Sequence, residues 1–515
     1  MMSKTNFYQN KLCCLFFVFL LIFTGVQQVL SRDIEQSHNQ QVSFLEYTVD
    51  CDITNGIIDT FGHINCGPLP NWDETKRVDL TSQYQQIGIT HIRTHDFFGP
   101  TDISWIFPNW SADPSNPASY NFSISDDYIT GIINAGCQVF YRLGESASAD
   151  ENLRRPPENF TKWSEVCRHI VMHYNEGWNN GFYYKITHWE IWNEPDLSGF
   201  WNGTAPLYYE LYHNVADHLK NHNQSLKIGG PCTSSLSNEN FTSQFLNYVK
   251  EHQVPLDFYS WHRYADSPHQ LYTDARFVRE LLDSYGFTET ENINTEWNIN
   301  LLYPQRDNDN AKNAAFTAGS LSVFQDASMD YAFRYRGTQD DNALMKLIGF
   351  DIALFTIDGL FKTPTLSYLA YQTLFKDTPV RVQLPEMDGA DGITLLAGVS
   401  EDKNNISLLF SNYGAPATDI LLDIQHIADA SYSLTSYLID DDTHFEITKH
   451  VDSYNMSPIT LHLEKNTVQF LRLTTSSSLP AEGPEVAPIP FILKLPFFDP
   501  LFQILGILIM LLIFG

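Results

Sequence analysis

From about residue 52 to residue 345, short apolar runs rich in β-branched and aromatic residues alternate with longer helix-like stretches, and this alternation limits the possible folds more than any other property of the chain. Strand and helix in repeated succession imply βα units around a parallel sheet. Eight candidate strands can be read, near Gly56–Ile64, Ile89–His95, Gln138–Gly144, Ile186–Asn193, Leu226–Gly230, Leu256–His262, Ile293–Trp297 and Tyr331–Arg336. That number predicts an α/β fold of the (β/α)8 TIM barrel type, whose core is strand side chains and whose chemistry sits at the C-terminal strand ends. Between strands, Leu207, Leu211, Val215 and Leu219 recur every fourth residue, so the helix they predict turns one apolar stripe to the core.

A chain of 515 residues is too long for one core, since single cores stop growing near about 250 to 300 residues. The remainder is legible from about Thr378 to Thr474, where only strand-like runs occur (VRVQL, ITLLAGV, ISLLFSN, ILLDI, YSLTSYLI and VQFLRL). A C-terminal β-sandwich is the expectation. The division read from sequence is 1–31 signal peptide, 32–376 barrel, 377–475 sandwich, 476–500 Pro/Ser-rich spacer and 501–515 hydrophobic tail.

Lys4 and Lys11 precede the apolar run Leu12–Val26, and Ser31 suits a cleavage site, which predicts export. The tail from Leu501 to Gly515 is continuously apolar behind the spacer; a cleavable anchor signal and a short span both fit it, and the expected location is extracellular or cell-surface. Eight Asn-x-Ser/Thr sequons, at Asn109, Asn121, Asn159, Asn202, Asn223, Asn240, Asn405 and Asn455, agree with a glycosylated surface. In an oxidising compartment Cys51 and Cys66 are close enough in sequence to close a small loop, and they are the disulfide candidate.

The formal charge of −30 opposes binding to phosphate backbones, so nucleic acid is excluded as a partner, and the membrane enters only through the terminal anchor. No glycine fingerprint follows the first strand and no His/Cys cluster has metal-ligand spacing, so neither cofactor nor metal is expected.

The chemistry lies at two strand exits. The fourth candidate strand finishes His188-Trp189-Glu190-Ile191-Trp192-Asn193-Glu194-Pro195-Asp196, and the seventh reads Asn292-Ile293-Asn294-Thr295-Glu296-Trp297-Asn298. Two glutamates entering one barrel mouth from different strands are what glycoside cleavage requires, one to protonate the leaving oxygen and one to attack or to activate water. Trp192 and Trp297 beside them are candidates to stack on a sugar face.

With WEIWNEPD, the Phe200-Trp201 that follows and NTEWN, the sequence resembles glycoside hydrolase family 39, the β-xylosidases and α-L-iduronidases, from about Gly62 to Gly349. The resemblance implies that Glu194 is the acid/base and Glu296 the nucleophile of a retaining double displacement. A retaining pair stands about 5 to 5.5 Å apart, an inverting one about 6.5 to 9.5 Å. Asn193 is placed to donate to the sugar 2-hydroxyl, and the run Arg93-Thr94-His95 resembles the family's, which implies that His95 reaches the sugar. His262 and Tyr264 are expected to hydrogen-bond the nucleophile or the ring, while Arg93, Arg142 and Arg336 are expected as ion-pair partners inside the mouth. The segment Cys66-Gly67-Pro68-Leu69-Pro70-Asn71 resembles an iduronidase loop with histidine where this chain has Asn71. Iduronidases carry lysine after His-Arg on the sixth strand, where this chain has Tyr264, so the expected substrate is a neutral, β-xyloside-like carbohydrate. An iduronide hydrolase and a catalytically silent carbohydrate-binding surface protein are the rivals.

Overall fold

The computed structural model describes residues 43–69, 78–96, 98–146, 154–300, 308–338, 352–428, 431–454 and 458–475. The leader, the spacer, the hydrophobic tail and Asn71 lie outside the described residues. Among the described residues no helix is long and apolar enough to cross a membrane.

The described residues begin with two strands, β1 (Ser43–Asp50) and β2 (Thr54–Ile57), and then enter a closed parallel barrel. Its eight strands are β3 (His63–Asn65), β4 (His91–Arg93), β5 (Gln138–Leu143), β6 (His188–Ile191), β7 (Lys227–Thr233), β8 (Phe258–Ala265), β9 (Glu291–Ile299) and β10 (Tyr331–Arg334), and β10 closes on β3. Beyond it follow β11 (Val380–Val382), β12 (Ile393–Val399), β13 (Asn405–Asn412), β14 (Thr418–Gln425), β15 (Tyr432–Ile439), β16 (His444–Tyr454), β17 (Ile459–Leu463) and β18 (Thr467–Thr475). These make a three-stranded sheet β1-β14-β17 and a seven-stranded sheet β16-β15-β18-β13-β12-β11-β2, the two layers of the sandwich.

The barrel helices start where the sequence supplies caps. Asn159, Ser267 and Asn310 each accept a backbone N–H from three residues on, satisfying a donor that the first helical turn leaves unpaired. The helix Ala205–His222 buries Leu211, Val215 and Leu219 as expected, but Leu207, in its first turn, is 38% exposed and does not belong to the stripe. The helices Ala311–Val323 and Thr363–Asp377 are buried nearly all round. A helix apolar on every side needs cover on every side, and the sandwich provides it: the Ser411 hydroxyl donates to the Ala315 carbonyl at 2.6 Å, and Phe316 meets Tyr413 at 5.5 Å. Leu396, Leu409 and Phe470 of the sandwich accordingly join the main barrel core.

Two expectations change here. The run read as one strand from Gly56 to Ile64 is divided, because β2 pairs with β11 in the sandwich and only His63–Asn65 enters the barrel. β1 likewise lies parallel to β14, so residues 43–57, read as part of the barrel, build the sandwich. The same division separates the proposed disulfide partners. Cys51 packs in the sandwich core, Cys66 follows β3 at the barrel mouth, and both are unpaired buried thiols.

Candidate active site

At the C-terminal end of β6 the backbone turns sharply, with φ +76° at Trp192 and +45° at Glu194. Such angles are strained for residues with a Cβ and persist only where surroundings enforce them. Here the Trp192 ring is wedged against Trp163 and Trp201, its Nε1 donates to the Phe200 carbonyl at 3.1 Å, and the Glu194 amide donates to the Cys232 carbonyl at 2.9 Å. The turn drives the Glu194 carboxyl into the mouth.

On β9 the register against β8 slips between Trp261 and His262, which pair with Asn294 and Glu296, leaving Thr295 as a bulge residue. Bulges re-aim side chains beside active sites. This one points Glu296 into the lumen, and alternation along the strand then sends Trp297 outward. Trp297 is fully buried against Phe316 and Phe324 with the Arg334 guanidinium 5.1 Å over its ring, so it packs between barrel and helices and cannot stack on a sugar. Trp192, 3% exposed, is likewise a packing residue.

The two carboxyls converge. One oxygen of Glu194, one of Glu296 and a ring nitrogen of His262 all lie within 4.8 Å of one another, so the two carboxyls face each other at close range, as double displacement requires. Among the described residues Glu194 receives one side-chain hydrogen bond, from His262 Nδ1 at 2.8 Å from Oε1. Glu296 is held more firmly: Arg93 Nη1 donates to Oε1 at 2.9 Å and the Tyr264 hydroxyl to Oε2 at 2.7 Å, with His95 Nε2 at 3.8 Å and His262 Nδ1 at 3.6 Å. Tyr264 thus holds the nucleophile, and His262 binds the partner glutamate more closely.

These surroundings separate the proton affinities. Burial, with the charge of Asp196 adding to it and Arg93 opposing, pushes the Glu194 carboxyl up to about 8, so it carries a proton at neutral pH. Burial raises Glu296 as well, and Glu194 adds to that, but His262, Arg93 and the Tyr264 hydroxyl all pull it back toward the ionised form. The side chain that shares no bond with a cation keeps the proton.

Arg93 is the hub of the mouth. Fully buried, it donates Nε to Glu190 at 2.7 Å, Nη1 to Asn65 at 3.0 Å and Nη2 to Asn193 at 2.7 Å, besides its bond to Glu296. Asn193 Oδ1 is thereby fixed as acceptor, which leaves its Nδ2, without a partner among the described residues, to donate to a bound hydroxyl. His95, 4% exposed, also has an Nδ1 without a partner among the described residues. Arg142 pairs with Asp102 at 2.9 Å, as the ion-pair expectation had it.

Glu194, Glu296, Asn193, His95, His262 and Tyr264 therefore meet in one site, while Trp297 does not. Sequence reading missed Asn65, Glu190 and Cys232, whose buried polar atoms carry Arg93 and His262 and whose types are ordinary in a barrel core. The other tight donor cluster among the described residues, Asp50, Asp52 and His426, is on the sandwich surface, where the Lys403 ammonium already contacts Asp52.

Replacing Tyr264 by Phe removes a charge-assisted bond worth about 1.5 to 3 kcal/mol from Glu296. The expected result is a fall in kcat of about ten- to a hundredfold with an acidic pH limb moved upward, read from pH–rate profiles; an unmoved limb refutes the positioning role.

Comparison with known proteins agrees with this geometry. The profile of "Glycosyl hydrolases family 39" matches residues 58–370. The chain is 26% identical over 269 residues to a β-xylosidase of Geobacillus stearothermophilus, a match spanning 46% of this chain and only about half, 52%, of that protein. It is 24% identical over 436 residues to a β-xylosidase of Caldicellulosiruptor saccharolyticus, covering 77% of this chain and 82% of the relative. A crystal structure of a glucosidase from Croceicoccus marinus superposes with a TM-score of 0.72 at 25% identity, over 84% of this chain and 99% of the other. With the barrel, the two strand-end glutamates and this match over more than half its length, the chain belongs to glycosyl hydrolase family 39.

Proposed function

We propose that the chain hydrolyses O-glycosides of a neutral sugar, of the β-xyloside type, by double displacement with retention of configuration. The observation that carries this is the carboxyl pair within 4.8 Å, one member biased to hold its proton and the other tied to a guanidinium. Glu296 attacks the anomeric carbon while the Glu194 proton passes to the glycosidic oxygen. The bond to the aglycone breaks, and a glycosyl ester of Glu296 remains. Glu194, now a carboxylate, takes a proton from water, whose oxygen attacks the same carbon and frees Glu296. Asn193 Nδ2 is the donor placed to strengthen its bond to the sugar as the oxocarbenium ion develops.

A neutral sugar is favoured by Tyr264, a phenol committed to the nucleophile at a position where binding a uronate asks for a cation. The neutral substrates named for the relatives point the same way.

The test is a panel of aryl β-xylosides, β-glucosides and α-L-iduronides, with the first-formed anomer read by NMR and the pH profile by initial rates. Turnover of a neutral β-glycoside with retention is expected, with an alkaline limb near pH 8 as Glu194 loses its proton. Preference for the iduronide refutes the substrate reading, inversion refutes the mechanism, and no turnover of any glycoside leaves a sugar-binding relic.

Export and anchoring through the run Leu12–Val26 and the tail Leu501–Gly515 belong to the same proposal, supported by their apolar continuity and by the spacer before the tail. Activity on intact cells that is released by phospholipase or by detergent separates a lipid anchor from a span.

A further inference from the structure

Behind the catalytic pair lies a cysteine that the double displacement does not use. Cys232, near the end of β7, is fully buried with its backbone at φ +59°. Its Sγ stands 3.0 Å from His262 Nε2, 3.1 Å from Arg93 Nη2, 3.5 Å from Asn193 Oδ1 and 3.6 Å from Thr295 Oγ1. Its carbonyl accepts the Glu194 amide at 2.9 Å, so both ends of this residue touch the acid's support.

A hydrogen count orders these contacts. A guanidinium only donates, so Arg93 donates a hydrogen bond to the sulfur and the thiol's own hydrogen must point elsewhere. Asn193 Oδ1 is farther and already receives Arg93 at 2.7 Å, and Thr295 is farther still. The nearest acceptor is His262 Nε2. Burial keeps the sulfur a thiol, and it depresses His262 to about 4, so the imidazole is neutral and carries one hydrogen. Glu194 and Cys232 meet its two nitrogens, the charges around it are Glu296, Arg93, Glu190 and Asp196, and His95 is a further titratable neighbour.

We propose that Cys232 is a positioning residue for the acid: by donating to Nε2 it fixes His262 as the Nδ1–H tautomer, so Nδ1–H donates to Oε1 of Glu194 and the acidic proton stays on Oε2. This rests on Glu194 being the acid/base. Without the thiol, His262 is free to take the opposite tautomer, whose bare Nδ1 accepts a hydrogen bond from the protonated Glu194 carboxyl and keeps that proton turned away from the leaving group. The second nitrogen of a histidine is what sets its tautomer, and a wrong tautomer disables proton transfer while leaving geometry intact.

A purely structural defect slows every substrate alike, whereas a proton-delivery defect is felt only where the aglycone needs protonation. The experiment therefore measures kcat/KM for Cys232→Ala, Cys232→Ser and Glu194→Gln on a dinitrophenyl glycoside and on an alkyl glycoside of the same sugar, with thermal midpoints alongside. Cys232→Ala should lose about tenfold or more on the alkyl glycoside and less than about threefold on the dinitrophenyl one, a part of the about 10²- to 10⁴-fold that general acid catalysis supplies. Cys232→Ser, which restores a donor, should recover most of the loss. Equal losses on both substrates, or serine behaving as alanine, overturns the relay. Glu194→Gln separates the two claims: if it depends steeply on the leaving group while Cys232→Ala does not, the relay alone falls, and if Glu194→Gln shows no such dependence the acid assignment falls with it.

Discussion

Glu296→Ala is expected to lower kcat by about 10⁵-fold or more on any glycoside, because a nucleophile supplies a bond that nothing else in the mouth can form. The neighbours make the loss specific. Arg93 and Tyr264 donate to the two oxygens of Glu296 and would remain, facing a cavity the size of a carboxylate. Those donors create an anion site where Glu296 was, so azide should bind there and attack the anomeric carbon from the face the carboxylate used. One displacement replaces two, Glu194 still protonates the aglycone, and the product is a glycosyl azide of inverted configuration. Recovery that saturates with azide and an inverted azide by NMR are the outcomes to look for. A variant with wild-type activity refutes Glu296 as nucleophile. Rescue with retained configuration refutes the single-displacement geometry even if Glu296 proves essential.

The residues on which this test depends were unequally legible in the sequence. The barrel was readable because each strand is a short apolar run between helical stretches: four of the eight candidate strands contain a whole barrel strand, and three more, at β7, β8 and β9, overlap a little over half of one. The remaining one, Gly56–Ile64, failed because a local pattern records that a segment is extended, not which sheet it joins; its first residues belong to β2, which pairs with β11. Glu194 and Glu296 were found because they pair: either glutamate alone at a strand exit reads as a rim residue, whereas two at the ends of the fourth and seventh strands, in WEIWNEPD and NTEWN, are what glycoside cleavage needs. Trp297 was misread because the bulge at Thr295 decides which neighbour of Glu296 faces the lumen, and no periodicity reveals a bulge. Tyr264 was placed near its target, whereas the importance of Arg93 could not be weighed: its partners Asn65, Glu190, Asn193 and Glu296 come from three separate stretches of chain. Cys51 and Cys66 illustrate the same limit, since their short separation in sequence crosses from one domain into the other.

Arg93→Met is expected to injure both fold and reaction, and the two injuries can be separated. The guanidinium has no solvent exposure and neither does Glu190, whose Oε2 takes the guanidinium and whose Oε1 has no hydrogen-bond partner among the described residues. Removing the cation leaves a buried carboxylate uncompensated, which costs about 3 to 5 kcal/mol, a large part of the about 5 to 15 kcal/mol that holds a domain folded. A second effect follows at the nucleophile. Arg93 is one of the groups opposing the rise that burial imposes on Glu296, so without it Glu296 holds its proton to higher pH. Because the reaction needs Glu296 ionised, the acidic limb of the pH–rate profile moves upward and activity at neutral pH falls. Adding Glu190→Gln to Arg93→Met removes the stranded charge. The double variant should therefore regain most of the lost stability by denaturant unfolding, while kcat and the acidic limb stay displaced because Glu296 is still without its cation. If the double variant recovers activity together with stability, Arg93 serves the fold alone; if the single variant unfolds at the same denaturant concentration as the parent, the buried pair with Glu190 does not carry the energy assigned to it.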